Sequence, residues 1–96
     1  MSEPETLAQR IDLWLWHARF YKTRTLASRV VADGRVRLTR TGQVRRISKA
    51  SATLAVDDEL TFPRNWKIVR IRILALSTRR GPASEAQSLY ALLETD

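Results

Sequence analysis

The spacing of apolar residues changes from helical to alternating at Asp33-Gly34, and this change constrains the fold more than any other feature. Before the glycine, apolar residues recur every three or four positions, which is typical of helices that bury one face. After it they alternate with basic or polar residues, as in strands that bury one face of a sheet. The 96 residues suffice for one domain. The sequence therefore predicts an α+β fold, with two helices packed on a small, mostly antiparallel sheet.

Two helices are predicted in the first third of the chain. The second should begin after an N-cap at Thr23 and end at Asp33-Gly34, where glycine readily adopts a left-handed conformation. The first should run from about residue 7 to about residue 19. Trp14 lies on its apolar stripe and is expected in the core. This stripe consists of Leu7, Ile11, Trp14, Leu15 and Ala18.

Strands are predicted after the glycine. In the first, Val36 and Leu38 should face the core and leave Arg35 and Arg37 on the exposed face. Residues 39–53 are polar and basic, and they are interpreted as a loop with room for one irregular strand.

Two further strands are expected in the second half of the chain. The first covers residues 59–62 and the second residues 66–76, where alternation is longest. Residues 63–65 are interpreted as the turn between them, because proline and asparagine favour turns.

The last part of the chain is predicted to be a C-terminal helix. Gly81-Pro82 separates it from the sheet, and Ser84 and Gln87 have the spacing of a capping box. The helix could close the core or bind a partner, since a helix this short is marginal when undocked. Its apolar stripe consists of Ala86, Leu89, Tyr90 and Leu93.

Positive charge is concentrated in one part of the chain. The whole sequence has 17 Lys and Arg residues against 10 Asp and Glu, a net charge of +7. Residues 10–49 contain eleven basic and two acidic residues, a net of +9, whereas the remainder is slightly negative. Most of these cations are arginines, whose planar fork suits phosphate groups and base edges. This distribution favours a polyanionic partner such as a nucleic acid over a merely solvated surface.

The sequence lacks the residues that several kinds of functional site require. Without cysteine, disulfides and thiolate metal sites are excluded, and His17 alone cannot build a histidine-based metal centre. We find no nucleophile–base pair and no phosphate-binding loop, so we expect neither catalysis nor a cofactor. The acidic start lacks the apolar run of a signal peptide, and no segment could span a bilayer. A cytoplasmic protein is therefore expected.

Four strings in the basic segment resemble the RNA-binding domain of small-subunit ribosomal protein four, the alpha-L motif. Among proteins with this motif, the sequence is most similar to the small ribosome-associated heat-shock protein family, because of the second and third strings and of a later string over residues 79–86. The four strings are Arg10-Ile11-Asp12, Trp14-Leu15-Trp16, Arg19-Phe20-Tyr21-Lys22-Thr23-Arg24 and Gly34-Arg35-Val36-Arg37-Leu38.

The resemblance implies a fold and a partner. It covers roughly residues 9–91 and implies an RNA-binding domain with the alpha-L motif at about 9–55. From the sequence pattern we expect a disordered lead at residues 1–6 and a single domain over residues 7–96, whose strands and C-terminal helix span about 56–94. The resemblance also implies binding to RNA of the large ribosomal subunit, including stalled subunits that hold tRNA, and a role in recycling them. The family's Asn-Gly turn after the first strand is replaced here by Thr39-Arg40-Thr41-Gly42, which predicts a longer loop.

The candidate RNA-binding residues come from the two helices and from the segment after them. We expect their side chains to meet on one outward patch, with Asp12 orienting an arginine across the two helices rather than acting as an acid or base. The amides at the start of the second helix add an anion site. The residues are Arg10, Asp12, Arg19, Lys22, Thr23, Arg24, Ser28, Arg29, Arg35, Arg37, Arg45 and Lys49.

Alternatives remain open for the function and for some residues. A winged-helix DNA-binding regulator fits a helix-turn-helix followed by strands, and so does an accessory module of an RNA-modifying enzyme. Trp16 could stack on a base or be half-buried. Arg45 and Lys49 could be steering charges only. We expect a monomer with no membrane or small-molecule partner.

Overall fold

A computed structural model describes residues 7–95 and gives three helices and seven strands in that range. The predicted disordered lead at residues 1–6 lies outside the described residues. The elements are β1 (Gln9–Arg10), α1 (Ile11–His17), α2 (Arg24–Ala32), β2 (Val36–Arg40), β3 (Gln43–Ile47), β4 (Thr53–Leu54), β5 (Glu59–Arg64), β6 (Lys67–Ile73), α3 (Ala83–Gln87) and β7 (Tyr90–Thr95).

The two N-terminal helices form the layer that packs on the sheet. α1 is shorter than predicted, because Gln9 and Arg10 pair with β4 as a separate two-stranded sheet. α2 has the predicted ends: the Thr23 hydroxyl accepts a hydrogen bond from the Leu26 amide at 3.0 Å, and Gly34 has a φ of +75°. Neither helix, nor any other in residues 7–95, has the length and apolar character needed to cross a membrane.

Five antiparallel strands form the main sheet, in the order β3-β2-β5-β6-β7. β2 and β3 are a hairpin, so the prediction of a loop with at most one irregular strand missed a regular strand at Gln43–Ile47. Their connection is only the two residues Thr41 and Gly42, with φ of +49° and +80°. The predicted longer loop is therefore wrong. Positive φ at both positions is the signature of a tight hairpin turn, so Thr-Gly does what Asn-Gly does elsewhere.

The turn between β5 and β6 starts two residues later than predicted and ends one residue later. Pro63 and Arg64 continue β5 and pair with Ile68 and Lys67. The connection is Asn65-Trp66, with φ of +51° and +66°. Trp66 is thus at the tip of a hairpin rather than at the start of a strand.

The C-terminal segment differs most from its prediction. α3 ends at Gln87, and its N-cap is Pro82, with no side-chain capping bond from Ser84. Residues Tyr90–Thr95 form β7, which pairs with β6, instead of continuing the helix. Strand pairing satisfies the backbone groups along the β6 edge, which a helix could not do. The α+β class with its antiparallel sheet is confirmed.

An aromatic cluster joins α1 to the sheet. The Trp14 side chain has no exposed area, and its Nε1 donates to the Ala75 carbonyl at 2.9 Å. Phe20 packs against Phe62 at 4.9 Å between ring centroids and against Tyr90 at 4.6 Å. The predicted core position of Trp14 is confirmed.

Candidate nucleic-acid interface

Arg10, the first turn of α1 and one flank of α2 line an open groove of ≈ 560 Å³, called the helix groove below. Asp12 supplies its carboxylate and is almost fully buried, whereas the three arginines that line the groove are exposed. Asp12 accepts from Arg10 in a bidentate pair, Nε to Oδ1 at 3.1 Å and Nη2 to Oδ2 at 2.7 Å. The lining residues are Arg10, Asp12, Arg24, Thr25, Ser28, Arg29 and Ala32.

The Asp12 carboxylate acts as an anchor for Arg10. Burial raises its pKa, but hydrogen bonds from Arg10, from the Leu13 amide and from Ser28, together with the charge of Arg10, lower the pKa below its ordinary value. Asp12 therefore stays charged at neutral pH and fixes the Arg10 fork beside α2. The arginine that Asp12 holds is Arg10, which precedes α1, whereas the prediction had placed the pair across the two helices.

Arg24 and Arg29 lack such a carboxylate. Neither forms an ion pair with any residue in the range 7–95, although both line the helix groove with Arg10. With one carboxylate against three guanidinium groups, the groove has a net charge of about +2. It is an open, cationic trough with hydroxyl donors at Thr25 and Ser28.

A second groove of ≈ 430 Å³ lies on the other flank of α2 and is called the hairpin groove. Lys22 and Arg35 line it together with Arg64 and the exposed ring of Trp66. The sequence had led us to expect that Arg24, Ser28 and Arg35 would meet on one patch. They do not, because Arg35 lines a different groove from the other two. The reason is rotational: on α2, Leu26 and Val30 face one flank while Arg24, Ser28 and Arg29 face the other.

Arg37 lies on the outer face of the sheet. It is directly paired with Arg46 across β2 and β3, and like charges at such a position destabilise a sheet. Arg70 and Arg72 on the same sheet share the Glu59 carboxylate, at 2.5 and 3.3 Å, so that their charge is partly compensated. Arg37 and Arg46 have no such ion pair within the described part of the chain. Arg46 Nε instead donates to the Gly34 carbonyl at 3.0 Å.

Two of the remaining candidates, Arg19 and Thr23, have local roles in the fold, and two, Arg45 and Lys49, are exposed. Arg19, with a φ of +67°, donates from Nε to the Gly81 carbonyl at 2.6 Å and so ties the interhelix turn to the segment before α3. Thr23 caps α2. Arg45 pairs with Leu38 in the hairpin, and Lys49 follows β3; both are exposed.

Trp16 is half-buried and packs against the core, with the Arg80 guanidinium carbon 5.8 Å from its ring centroid. Arg80 also donates to the Trp16 carbonyl at 3.1 Å. This geometry favours the packing alternative for Trp16 over stacking on a base. The tryptophan that lies open to solvent is Trp66, with a relative exposure of 105%.

No family model matches the chain. Individual relatives do. Heat shock protein 15 of Escherichia coli strain K12 is 38% identical over 90 residues, and the Haemophilus influenzae homolog is 37% identical over 95 residues. These alignments cover 94% and 99% of this chain but 64% and 66% of the relatives, so the chain spans just under two thirds of their length.

A solved structure of the same family is also similar to this chain. The trimeric structure of Vibrio cholerae heat shock protein 15 has a TM-score of 0.78 and 37% sequence identity, covering 91% of this chain and 83% of that one. This chain belongs to the heat shock protein 15 family. The resemblance noted from the sequence motifs is thereby confirmed, and the relatives' names place the family among heat-shock proteins. The expectation of a monomer stays a prediction.

Two groove-lining residues of this heat shock protein 15 family member were not among the candidate binding residues predicted from the sequence. Arg64 and Trp66 line the hairpin groove, but the turn was predicted at residues 63–65 and Trp66 was assigned to a strand. The signal was available: Arg64-Asn65-Trp66-Lys67 places an aromatic residue between two cations at a turn.

A pH dependence of stability follows from His17. Its Nδ1 lies 2.8 Å from Ser77 Oγ, and burial lowers its pKa, helped by the nearby charges of Arg24 and Arg80. The unfolded chain binds the proton at the ordinary value of about 6.5. Stability should therefore be complete above that pH and decrease as the pH falls from 6.5 to the lower pKa of the folded state. Chemical denaturation across this range measures the decrease.

A His17→Gln variant is the control, because it cannot titrate. Its free energy of unfolding should stay flat from neutral pH down to the range in which carboxylates take up protons. An equal decrease in both proteins would show that His17 is not the source.

Proposed function

We propose that this chain binds structured RNA without catalysing a reaction, and that the helix groove is the centre of the interface. The observation that carries the proposal is the arrangement of Arg10, Arg24 and Arg29 around one carboxylate that is already engaged. A trough with this excess of fork-shaped donors suits phosphate oxygens, which accept two hydrogen bonds from one guanidinium. Folded RNA suits it better than free nucleotides, because proteins read RNA helices largely through backbone and shape.

The proposed target is RNA of the large ribosomal subunit, with tRNA on stalled subunits as a second contact. The relatives' heat-shock names support a stress role, and the motif resemblance supports the ribosomal target and a function in recycling stalled subunits. We place the protein in the cytoplasm, where such subunits occur. Arg37 and Arg46, which form no ion pair with a residue in the range 7–95, would extend the interface along the outer sheet face.

Duplex DNA is the competing polyanion. The α2 helix has nine residues, and the polar side chains by which it lines the helix groove are two short hydroxyls and two arginines. Sequence-specific reading of a major groove typically adds Asn or Gln on a longer exposed helix. This observation favours RNA, and a competition assay decides the matter: folded ribosomal RNA should displace a labelled RNA at lower concentration than an equally long DNA duplex.

Salt dependence tests the electrostatic mechanism. The logarithm of the association constant should fall linearly with the logarithm of salt concentration, with a slope of roughly −2 to −4.5 for three to five neutralised phosphates. Filter binding or fluorescence anisotropy with a folded ribosomal RNA fragment measures the slope. Binding that is unchanged between low and high salt would contradict the proposal, as would reproducible conversion of the RNA to a product by the isolated protein.

A further inference from the structure

The tip of the β5–β6 hairpin carries a tryptophan that nothing in the fold requires. Trp66 has a relative exposure of 105%, and no aromatic or cationic partner within residues 7–95 covers its ring. Exposed indoles of this kind are uncommon in protein surfaces and concentrate at binding sites. The exposure of Trp66 therefore indicates that its ring contacts another molecule.

The backbone conformation at Trp66 strengthens this argument. Asn65-Trp66 is a two-residue hairpin loop with φ of +51° and +66°, and turns of this kind favour Asn-Gly. Asn65 fits its position, whereas a bulky side chain is disfavoured at the left-handed φ of the next one. A tryptophan at the glycine position lowers stability, so its benefit is expected elsewhere.

The groove beside this ring is cationic. Lys22, Arg35 and Arg64 line it with Trp66, and no carboxylate of the described chain is among its lining residues. None of the three forms an ion pair with a residue between 7 and 95. Cations grouped around an exposed aromatic ring are the combination by which proteins bind single-stranded nucleic acids.

Contacts at the base of the hairpin hold the groove in place. Arg64 donates from Nε to the Phe20 carbonyl at 3.2 Å, and its guanidinium carbon lies 5.6 Å from the Phe20 centroid. The Tyr21 hydroxyl donates to the Pro63 carbonyl. Burial raises the pKa of Tyr21 to about 12, against the opposing charges of Arg35 and Arg64, so the phenol remains a donor. The wall that carries Trp66 is thus tied to the interhelix turn.

We propose that the hairpin groove binds an unpaired nucleotide of the RNA, with its base stacked on Trp66 and its phosphates on Lys22, Arg35 and Arg64. The site lies on the opposite flank of α2 from the helix groove. The substrate class is therefore RNA in which a folded region continues into a single strand. This inference deepens the proposed function and rests on it.

Two RNAs separate the inference from the proposed function. One is a blunt hairpin, and the other is the same hairpin with an unpaired extension of a few nucleotides. The wild-type protein should bind the extended RNA more tightly. Trp66→Ala should weaken binding of the extended RNA by roughly 5- to 100-fold, the range for loss of one base stack, and change binding of the blunt RNA little.

Three matched variants complete the test. Trp66→Phe keeps an aromatic face and should retain most of the preference for the extended RNA, while the fluorescence quenching that this RNA causes in the wild type should be reduced. Leu74→Ala removes an exposed apolar side chain outside both grooves and should change neither affinity. Trp66→Gly should lose the preference and yet melt at a higher temperature, because glycine suits the turn.

The outcomes are distinguishable. An unchanged preference for the extended RNA in Trp66→Ala would overturn the inference even if blunt RNA is bound well. Failure of the wild-type protein to bind either RNA would instead overturn the proposed function. A lower melting temperature for Trp66→Gly would contradict the argument that this tryptophan is kept at the expense of stability.

Discussion

Replacing Trp14 with alanine is expected to lower the free energy of unfolding by about 3–5 kcal/mol. The whole side chain is buried, and its ring packs on Phe20 and Tyr90 at centroid distances of 6.3 and 6.4 Å. The substitution leaves a cavity at the joint between α1 and the sheet. It also leaves the Ala75 carbonyl without the indole donor. Urea denaturation followed by circular dichroism measures the change.

Trp66→Ala is the matched control for this prediction, since it is the same substitution at a fully exposed site. Its free energy of unfolding should change by less than about 0.5 kcal/mol, because the site is exposed and alanine, which also has a Cβ, meets the same left-handed φ as tryptophan. If the two variants have the same free energy of unfolding, Trp14 is not the packing centre that its burial indicates.

Signals that act within a few residues were sufficient to predict the helical part of the fold. Thr23 and Gly34 delimit α2 because capping and left-handed φ depend on the backbone next to them, and both ends were correct within a residue. The start of α1 was predicted too early for a non-local reason. Gln9 and Arg10 lie within the range predicted for the first helix, but they pair with Leu54 and Thr53, more than 40 residues away.

The C-terminal strand shows the limit of periodicity. Leu89, Tyr90 and Leu93 fit a helical stripe, yet a short apolar run also fits an alternating pattern. The open edge of β6 decides between them, because Ile71 and Ile73 pair with Leu92 and Tyr90 once the sheet has formed. That edge is a product of the tertiary fold, so local spacing could not predict the strand.

The candidate site was predicted in composition but not in arrangement. Arg10, Asp12 and Arg24 do meet in one groove. Arg35 lies in another groove. Ala27 and Val31 of α2 pack in the core, and the resulting rotation of the helix turns Arg24 toward the flank opposite to Arg35. Trp66 was assigned to a strand because the turn was predicted to start two residues too early. The position of a turn is set by strand register, which composition does not determine.

Arg24→Glu is expected to reduce affinity for folded ribosomal RNA by roughly 100-fold or more. Loss of one charge-assisted contact alone accounts for roughly 1–3 kcal/mol, and the new carboxylate adds repulsion to the phosphates. Stability should move in the other direction. Arg24 is the first residue of α2, whose first turn has no acidic residue, and a cation there opposes the helix dipole. A carboxylate at that place should raise the free energy of unfolding by about 0.3–1 kcal/mol.

The opposite signs make this prediction specific, because misfolding would lower both quantities. Arg79→Glu is the control: it changes the net charge equally, and the ion pair that it breaks with Glu85 is exposed and contributes little. An equal loss of affinity in both variants would mean that only net charge matters and that the helix groove is not the interface. A third readout is His17, whose pKa the Arg24 charge helps to lower. An NMR titration of Arg24→Glu should find that pKa closer to its ordinary value, because the nearby cation has been removed while the fold is retained.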